Sequence, residues 1–459
     1  MCRKRLIPVL LLMVCLGAAG ENSGTLTLES CRSMAVSNNK ELRMADKQQE
    51  IARYNSKSAF TSYLPKVSAT GMYMHTGKEV SLLSDDQKGT LSHMGDGVGV
   101  PMLNNLGQGL VDALRTDTRN MGGAAVVLTQ PVYMGGKIRA YNNITRYAEQ
   151  IAADKRNLAY QELIVSVDET YWSIVQLTAR KRLAESYLEL VTTLDNDVEQ
   201  MITEGFATKA DGLSVKVKVN EAKVALIQVD NGVELLKMRM CQLCGLPLDS
   251  KITLADENGE SLSTVDDYSG DDANEWENRP ELSALEASMG VSKEKIKLAR
   301  AEFMPIVALT GGYFATYPSV FNSFEKKFKG TWNIGVAVNI PILTWGDRFY
   351  KVRAAKAQAA LTKFSYEETR EKIELQVSQS RQKVQEAQER IIACKSSQAE
   401  ADENLRYAST GVKEGVIPVS NLLEAQTAWV SAKAGLIAAD IDFRLANMYL
   451  KKSLGIITQ

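Results

Sequence analysis

Tyr63-Leu64-Pro65-Lys66-Val67, running on to Gly71-Met72-Tyr73, returns later in the chain as Phe303-Met304-Pro305-Ile306-Val307, running on to Gly311-Gly312-Tyr313. Upstream, Asn38-Asn39-Lys40-Glu41-Leu42 returns as Asn278-Arg279-Pro280-Glu281-Leu282, at the same spacing of 240 residues (305 less 65). Downstream the spacing changes. Gln130-Pro131 with Gly136 returns as Ile340-Pro341 with Gly346, Glu204-Gly205 as Glu414-Gly415, and Gly245 as Gly455, all 210 residues apart (341 less 131). An ordered set of anchors at two constant offsets marks an internal duplication. The first copy carries 30 extra residues (240 less 210) between Met74 and Met121.

One copy reads as a helix, two strands, a very long helix and a shorter return helix. The opening helices, Glu41 to Ser62 and Glu281 to Glu302, stop just before an aromatic-X-Pro sequence, where proline cannot continue the ladder. The clearest strand is Trp332 to Ile340: Trp332, Ile334, Val336, Val338 and Ile340 alternate with Asn333, Gly335, Ala337 and Asn339. Shifted by 210, Ala124, Val126 and Leu128 form the matching apolar row. Val67, Ala69, Gly71 and Tyr73, repeated as Val307, Leu309, Gly311 and Tyr313, form weaker rows. The strands are therefore expected at about 64–75, 122–133, 304–317 and 331–343. Each is about ten residues long, the length of a tilted transmembrane strand. Tyr73, Tyr133, Tyr313, Tyr317, Trp332 and Trp345 stand near strand ends, as interfacial aromatics do.

The long helices are expected at about 136–202 and 346–412, without an internal proline. At 1.5 Å per residue each is roughly 100 Å long, which demands helical partners along its length. Ile144, Ile151, Leu158, Val165, Trp172 and Ala179 keep a seven-residue period, as do Val377, Val384 and Ile391, then Leu405 and Val412. Such a period predicts coiled-coil seams. Glu204-Gly205 and Glu414-Gly415 end these helices, glycine being the usual terminator. Return helices follow at about 207–244 and 417–454. The domain plan is thus 1–20, 21–248, an acidic linker 249–277, and 278–459. The 30 extra residues are rich in Gly, Asn and Asp and read as loop.

Composition narrows the function. The 459 residues carry a net charge of −1, without the basic footprint that nucleic-acid binding requires. Arg3-Lys4-Arg5, the apolar run Leu6 to Leu16 and Gly17-Ala18-Ala19-Gly20 read as a secretory signal peptide, cut near Glu21. Cys15 follows Val14, where a lipoprotein pattern wants a small residue, so acylation is not expected. Past the leader no apolar run is long enough for a membrane helix, and an exported chain can then cross a membrane only by strands. Cys241 and Cys244 are spaced like a metal or redox pair, but no second pair or histidine accompanies them, so buried helix positions are expected. Gly95-Asp96-Gly97-Val98-Gly99 and Gly135-Gly136-Lys137 lack the context of nucleotide loops. No acid–base pair, nucleophile triad or metal cluster is visible, so neither enzyme activity nor a cofactor is expected. Four strands cannot close a barrel, and open edges cannot face lipid. Three copies would supply twelve strands, enough for a pore.

On the duplication, the Asn-X-X-Glu-Leu helix starts, the aromatic-X-Pro strand openings, the Pro-X-X-X-X-Gly strand exits and the Glu-Gly tips, the chain resembles the TolC family of outer-membrane efflux channels. The resemblance covers the chain from about Leu26 to its end. It implies an α+β membrane protein: a homotrimeric twelve-stranded β-barrel, four strands per protomer, in outer-membrane lipid, continued by a long α-helical barrel through the periplasm. It also implies a passive conduit for small molecules that docks to a periplasmic adaptor and an inner-membrane pump of the RND type. The gate is then an iris of helix tips, here Glu204, Gly205 and Asp211 in the first copy and Glu414, Gly415, Asn421 and Glu424 in the second. Where the best-studied member has two constriction aspartates and a tip arginine, this chain has Asn421, Glu424 and Ile417, so that member's closed-state links do not carry over intact. Two other readings stay open: a protein-secretion channel of the same fold, and a periplasmic coiled-coil scaffold whose strands pack as a small sandwich.

Overall fold

A computed structural model describes residues 25–457 except 78–79, 82, 97–98, 117–118, 259–274 and 320–326. The expected signal peptide lies outside the described residues, as does most of the acidic linker. The chain divides into two compact units.

The unit formed by residues 48–153 and 283–367 contains the sheet. Its strands are β1 (Lys66–His75), β4 (Asn120–Met134), β5 (Ile306–Tyr317) and β6 (Lys329–Asn339), antiparallel throughout in the order β1-β4-β5-β6. β2 (Val80–Ser81) and β3 (Arg115–Thr116) form a separate two-stranded ribbon. Opposed residues share a face in an antiparallel pair, so the register sorts every side chain. Ala69 opposes Val126, Val126 opposes Tyr313, and Tyr313 opposes Trp332. Val67, Leu128, Gly311 and Ile334 form the next row. All four apolar rows expected from the sequence thus lie on one face. The other face is mixed: Lys66, Ser68, Thr70, Thr129, Thr310, Thr331, Asn333 and Asn339 stand on it together with Met72, Met74, Met121, Val127 and Phe314. Among the described residues β1 and β6 each have a single neighbour, so the sheet has two open edges. Among the described residues the other sheet is the two-stranded β2–β3 ribbon.

β6 stops at Asn339 rather than 343, because its partner β5 begins at Ile306, opposite Asn339, and Pro341 offers no N–H. A bulge between Pro131 and Tyr133 carries β4 past its own proline. The 30-residue insertion is not a loop. It folds as α3 (Asp85–Ser92) and α4 (Pro101–Ala113), with the ribbon alongside in sequence. Ser84 and Gln87 close a capping box on α3, and Pro101 stands at the first turn of α4.

The other unit draws on residues 1–47, 154–282 and 368–459. A helix unforeseen from the sequence, α1 (Leu28–Asn38), precedes α2 (Lys40–Phe60), capped at its start by Thr27 and burying Cys31 and Ala35. In the Asn-X-X-Glu-Leu start the repeated Asn38 donates Nδ2 to Cys244 O (3.2 Å), and the cap is the next residue, which the second copy replaces with Arg279. Asn39 Oδ1 accepts from the backbone N–H groups of Glu41 (2.8 Å) and Leu42 (3.2 Å), an N-cap. In the second copy α7 (Pro280–Ala301) starts with proline instead, and Arg279 pairs with Glu281 at 2.5 Å. Leu42 and Leu282 are both buried.

The long helices are α5 (Lys137–Glu204) and α8 (Asp347–Lys413). The return helices, α6 (Lys209–Cys244) and α9 (Val419–Leu454), have 36 residues each and sit 210 positions apart at both ends. Cys31, Val167, Tyr171, Ile174, Met240, Cys244 and Ile441 belong to one fully enclosed core, so Cys241 and Cys244 are indeed buried helix positions, and unpaired. The expected first-copy seam is only partly right. Val165 is buried, whereas Ile144, Ile151, Leu158, Trp172 and Ala179 are half-buried. Leu163, Val167, Tyr171 and Ile174 hold the core, because this stretch of α5 joins a cluster with α1, α6 and α9 rather than one partner. In the second copy Val377, Val384 and Val412 are buried as the seam predicts, with Ile391 and Leu405 half-buried. The described parts of the acidic linker, 249–258 and 275–277, each contain a 3₁₀ turn, and the first part is pinned. Ile252 and Leu254 are buried, and Tyr171 Oη donates to Asp256 Oδ2 at 2.5 Å.

Tyr171→Phe keeps the ring and removes this donor. It is expected to cost about 1–2 kcal/mol and to speed protease cleavage within 249–258, measured on detergent-extracted protein.

Candidate functional site: helix tips and sheet faces

Gly205 and Gly415 both adopt left-handed backbone, at φ 81° and 70°. Gly205 N–H donates to Ile202 O (3.2 Å) and Phe206 N–H to Met201 O (2.8 Å). In the second copy Gly415 N–H donates to Val412 O (3.1 Å) and Val416 N–H to Gly411 O (2.9 Å). Each tip is therefore a Schellman turn, and only glycine takes that backbone without strain. The two turns lie against one apolar cluster: Leu194, Val198 and Val215 from the first copy join Val412, Val419, Leu422 and Leu423 from the second.

The return helices start differently. Thr208 Oγ1 accepts from Asp211 N–H (3.2 Å), while Asp211 Oδ2 accepts from Thr208 N–H (2.9 Å) and from its hydroxyl (2.6 Å). Asp211 thus closes a reciprocal capping box. Those donated hydrogen bonds hold its carboxyl below the usual aspartate range. In the second copy Pro418 is the cap residue and supplies no side-chain bond. Asn421 and Glu424 are exposed on the first turns of α9, and Glu204 and Glu414 are exposed beside the tip glycines. Sequence reasoning missed a third feature: Phe206 and Val416, 210 positions apart, are 77% and 76% exposed at the outermost turn. The signal was available in the repeat, one residue past each Glu-Gly.

On the sheet, five of the six expected aromatics share the apolar face. Tyr73, Gly122 and Tyr317 form one cross-strand row, with Tyr313 and Trp332 in the next but one. Tyr133, opposite Val307, stands at the other end, ten residues along β5 from Tyr317. At about 3.4 Å per residue and a tilt near 45°, ten residues span roughly 25 Å of height, the thickness of an outer-membrane apolar band. Trp345 lies beyond β6. It has φ 48° where the first copy has Gly135 at φ 62°, and it is 87% exposed. A bulky residue kept in left-handed backbone costs about 1–3 kcal/mol, so the second copy retains an exposed indole at a position whose backbone suits glycine.

Among the described residues no group of His, Cys, Asp and Glu is arranged to hold a metal, and no helix is long and apolar enough to cross a membrane. The described residues thus give, in one unit, a four-stranded sheet with an apolar row on one face and, in the other, long helices that end in paired turns.

The comparisons with known proteins agree. The sequence profile described as outer membrane efflux protein matches residues 31–239 and 274–456, and the chain belongs to that family. It is 22% identical over 356 residues to the outer membrane efflux protein BepC of Brucella suis, covering 77% of this chain and 76% of BepC. It is likewise 22% identical to the alkaline protease secretion protein AprF of Pseudomonas aeruginosa, over 70% of this chain and 68% of AprF. The outer membrane protein VceC of Vibrio cholerae superposes with a TM-score of 0.74 at 16% identity, over 93% of this chain and 96% of VceC. The protein is accordingly an outer-membrane transport conduit and not an enzyme, with the fold of one protomer of such a channel.

Thr208→Ala is expected to cost about 1 kcal/mol at the first tip and to expose Lys209 to trypsin. Because the folded carboxyl of Asp211 is depressed, the cap is intact above the ordinary aspartate pKa and is lost as pH falls through the folded value. Acid should therefore fray the first tip, and leave the proline-started second tip unaffected, in pH-resolved hydrogen exchange.

Proposed function

We propose that three copies close a twelve-stranded barrel and act as the outer-membrane channel of a tripartite efflux system. The reading rests on one observation: a two-faced, four-stranded sheet whose outer strands β1 and β6 are both open. Hydrocarbon offers no partner to unpaired backbone groups, so copies must supply them to each other. The apolar face with its two aromatic rows meets lipid, and the opposite face, which holds the Ser, Thr and Asn residues, lines the pore. The helix tips are the periplasmic gate. A threefold ring of Glu424, with Asn421 beside it, attracts cations at the constriction, and opening separates the paired tips like an iris. Phe206 and Val416 present an apolar ring to a periplasmic adaptor, which couples the channel to an inner-membrane pump, of RND type. The name of BepC supports efflux, and small molecules are the cargo of this reading. The name of AprF favours a protein cargo instead, and co-purification of the pump partner after crosslinking in cells decides between them.

In planar bilayers Glu424→Ala should raise single-channel conductance or weaken block by divalent cations. Unchanged conductance with unchanged block would remove Glu424 from the gate. Phe206→Ser with Val416→Ser should reduce adaptor crosslinking at least several-fold while the oligomer seen on unheated gels is unaltered.

A further inference from the structure

The insertion carries an apolar stripe that nothing among the described residues covers. Met102, Leu106 and Leu110 lie four residues apart on α4, hence on one side of the helix, and are 73%, 56% and 44% exposed. This is not an unformed loop. Asn104 Oδ1 accepts from Gly95 N–H at 2.5 Å, and Asn104 Nδ2 donates to Asp96 at 2.6 Å. Gly107 packs so close to α3 that an added Cβ would fall 1.8 Å from Leu91 O. A helix fastened this firmly, with its greasy side outward, is an interaction surface.

Its place in the fold restricts the partner. β1 and β4 enter the sheet from α2 and leave it into α5 at one end, so the connection carrying α3 and α4 is at the opposite end. With the helices on the periplasmic side, that end is the outer mouth of the channel. The hairpin also includes β1, the open edge through which neighbouring copies join. The insertion occurs in the first copy alone, so a trimer has three, related by the threefold axis. A helix lying on an anionic membrane surface carries Lys or Arg on its polar side. Asp112 is the sole charged residue of α4, and the remaining polar residues are Asn104, Asn105 and Gln108.

We propose that the stripe on α4 docks against α4 of the neighbouring copies, and that the three helices together narrow the outer mouth. The partner is thus a second copy of this chain, and the inference rests on the trimeric reading above. A channel so built has two barriers, one at the tips and one at the mouth.

The test uses the full-length protein in outer-membrane vesicles, carrying Cys394→Ser because Cys394 is partly exposed while Cys31, Cys241 and Cys244 are buried. In that background Leu106→Cys should form disulfide-linked dimers on mild oxidation, with a fall in conductance reversed by reductant. Met102→Asp, Leu106→Asp and Leu110→Asp combined should raise conductance several-fold and leave the oligomer on unheated gels unchanged. Intact trimers with neither crosslink nor conductance change would overturn the proposal. So would quenching of a fluorophore at residue 106 by brominated lipid, which would put the stripe in the membrane. Absence of trimers in the unmodified protein would remove both this inference and the trimeric reading.

Discussion

Backbone hydrogen bonding along β1 and β6 is the constraint on which the rest depends. Each of these strands is paired on one side only, and in hydrocarbon an unpaired N–H or C=O costs several kcal/mol. A ten-residue edge therefore carries a penalty larger than the net stability of most domains. No side-chain contact in the chain offsets a term of that size. The strands become tenable in a membrane when β1 of one copy meets β6 of the next, and such closure makes the barrel, the pore and a cyclic symmetry arise together. The segregation of Trp332, Ile334, Val336 and Val338 from Asn333 and Asn339 follows from the same closure, because a closed sheet has one face in lipid and one in water.

The duplication is constrained unevenly. α6 and α9 match in length residue for residue, and the two Schellman turns form the same pair of hydrogen bonds. Helices that line one tube cannot change length independently. The cap residues, in contrast, differ: Thr208 and Asp211 lock the first tip, and Pro418 leaves the second without a side-chain lock. Two hairpins of the same length but unequal capping would suit the proposed gate, with one tip moving more readily than the other.

Much of this was legible in the sequence because it is periodic or repeated. The sheet faces follow from alternation, and the tips follow from Glu-Gly at a fixed offset. What escaped notice is held by contacts between distant residues. α1 exists because Cys31 and Ala35 are buried against residues more than a hundred positions away, and its eleven residues show little helical periodicity of their own. The insertion looked like loop because it is rich in Asn, Asp and Gly. In the structure Asn104 braces the turn at Gly95 and Gly107 permits the α3–α4 approach, so these residues do structural work inside a helical pair. The seven-residue period in α5 marked a helix correctly and its seam only in part, since a helix with several neighbours buries more than one stripe. Asp211 enters the tip by its alignment with Asn421, while the Thr208-X-X-Asp211 spacing, a capping signature, is equally readable.

The central claim is that β1 of one copy pairs with β6 of another. Within a single chain these strands are separated by β4 and β5, about 14 Å at the usual strand spacing, beyond disulfide reach. A cysteine at Ala69 combined in turn with a cysteine at Trp332, Ile334, Val336 or Val338 therefore bonds between copies or not at all. Oxidation in outer-membrane vesicles should give covalent trimers for the combination in register, resolved on reducing and non-reducing gels. Monomers alone across the whole set would contradict the account.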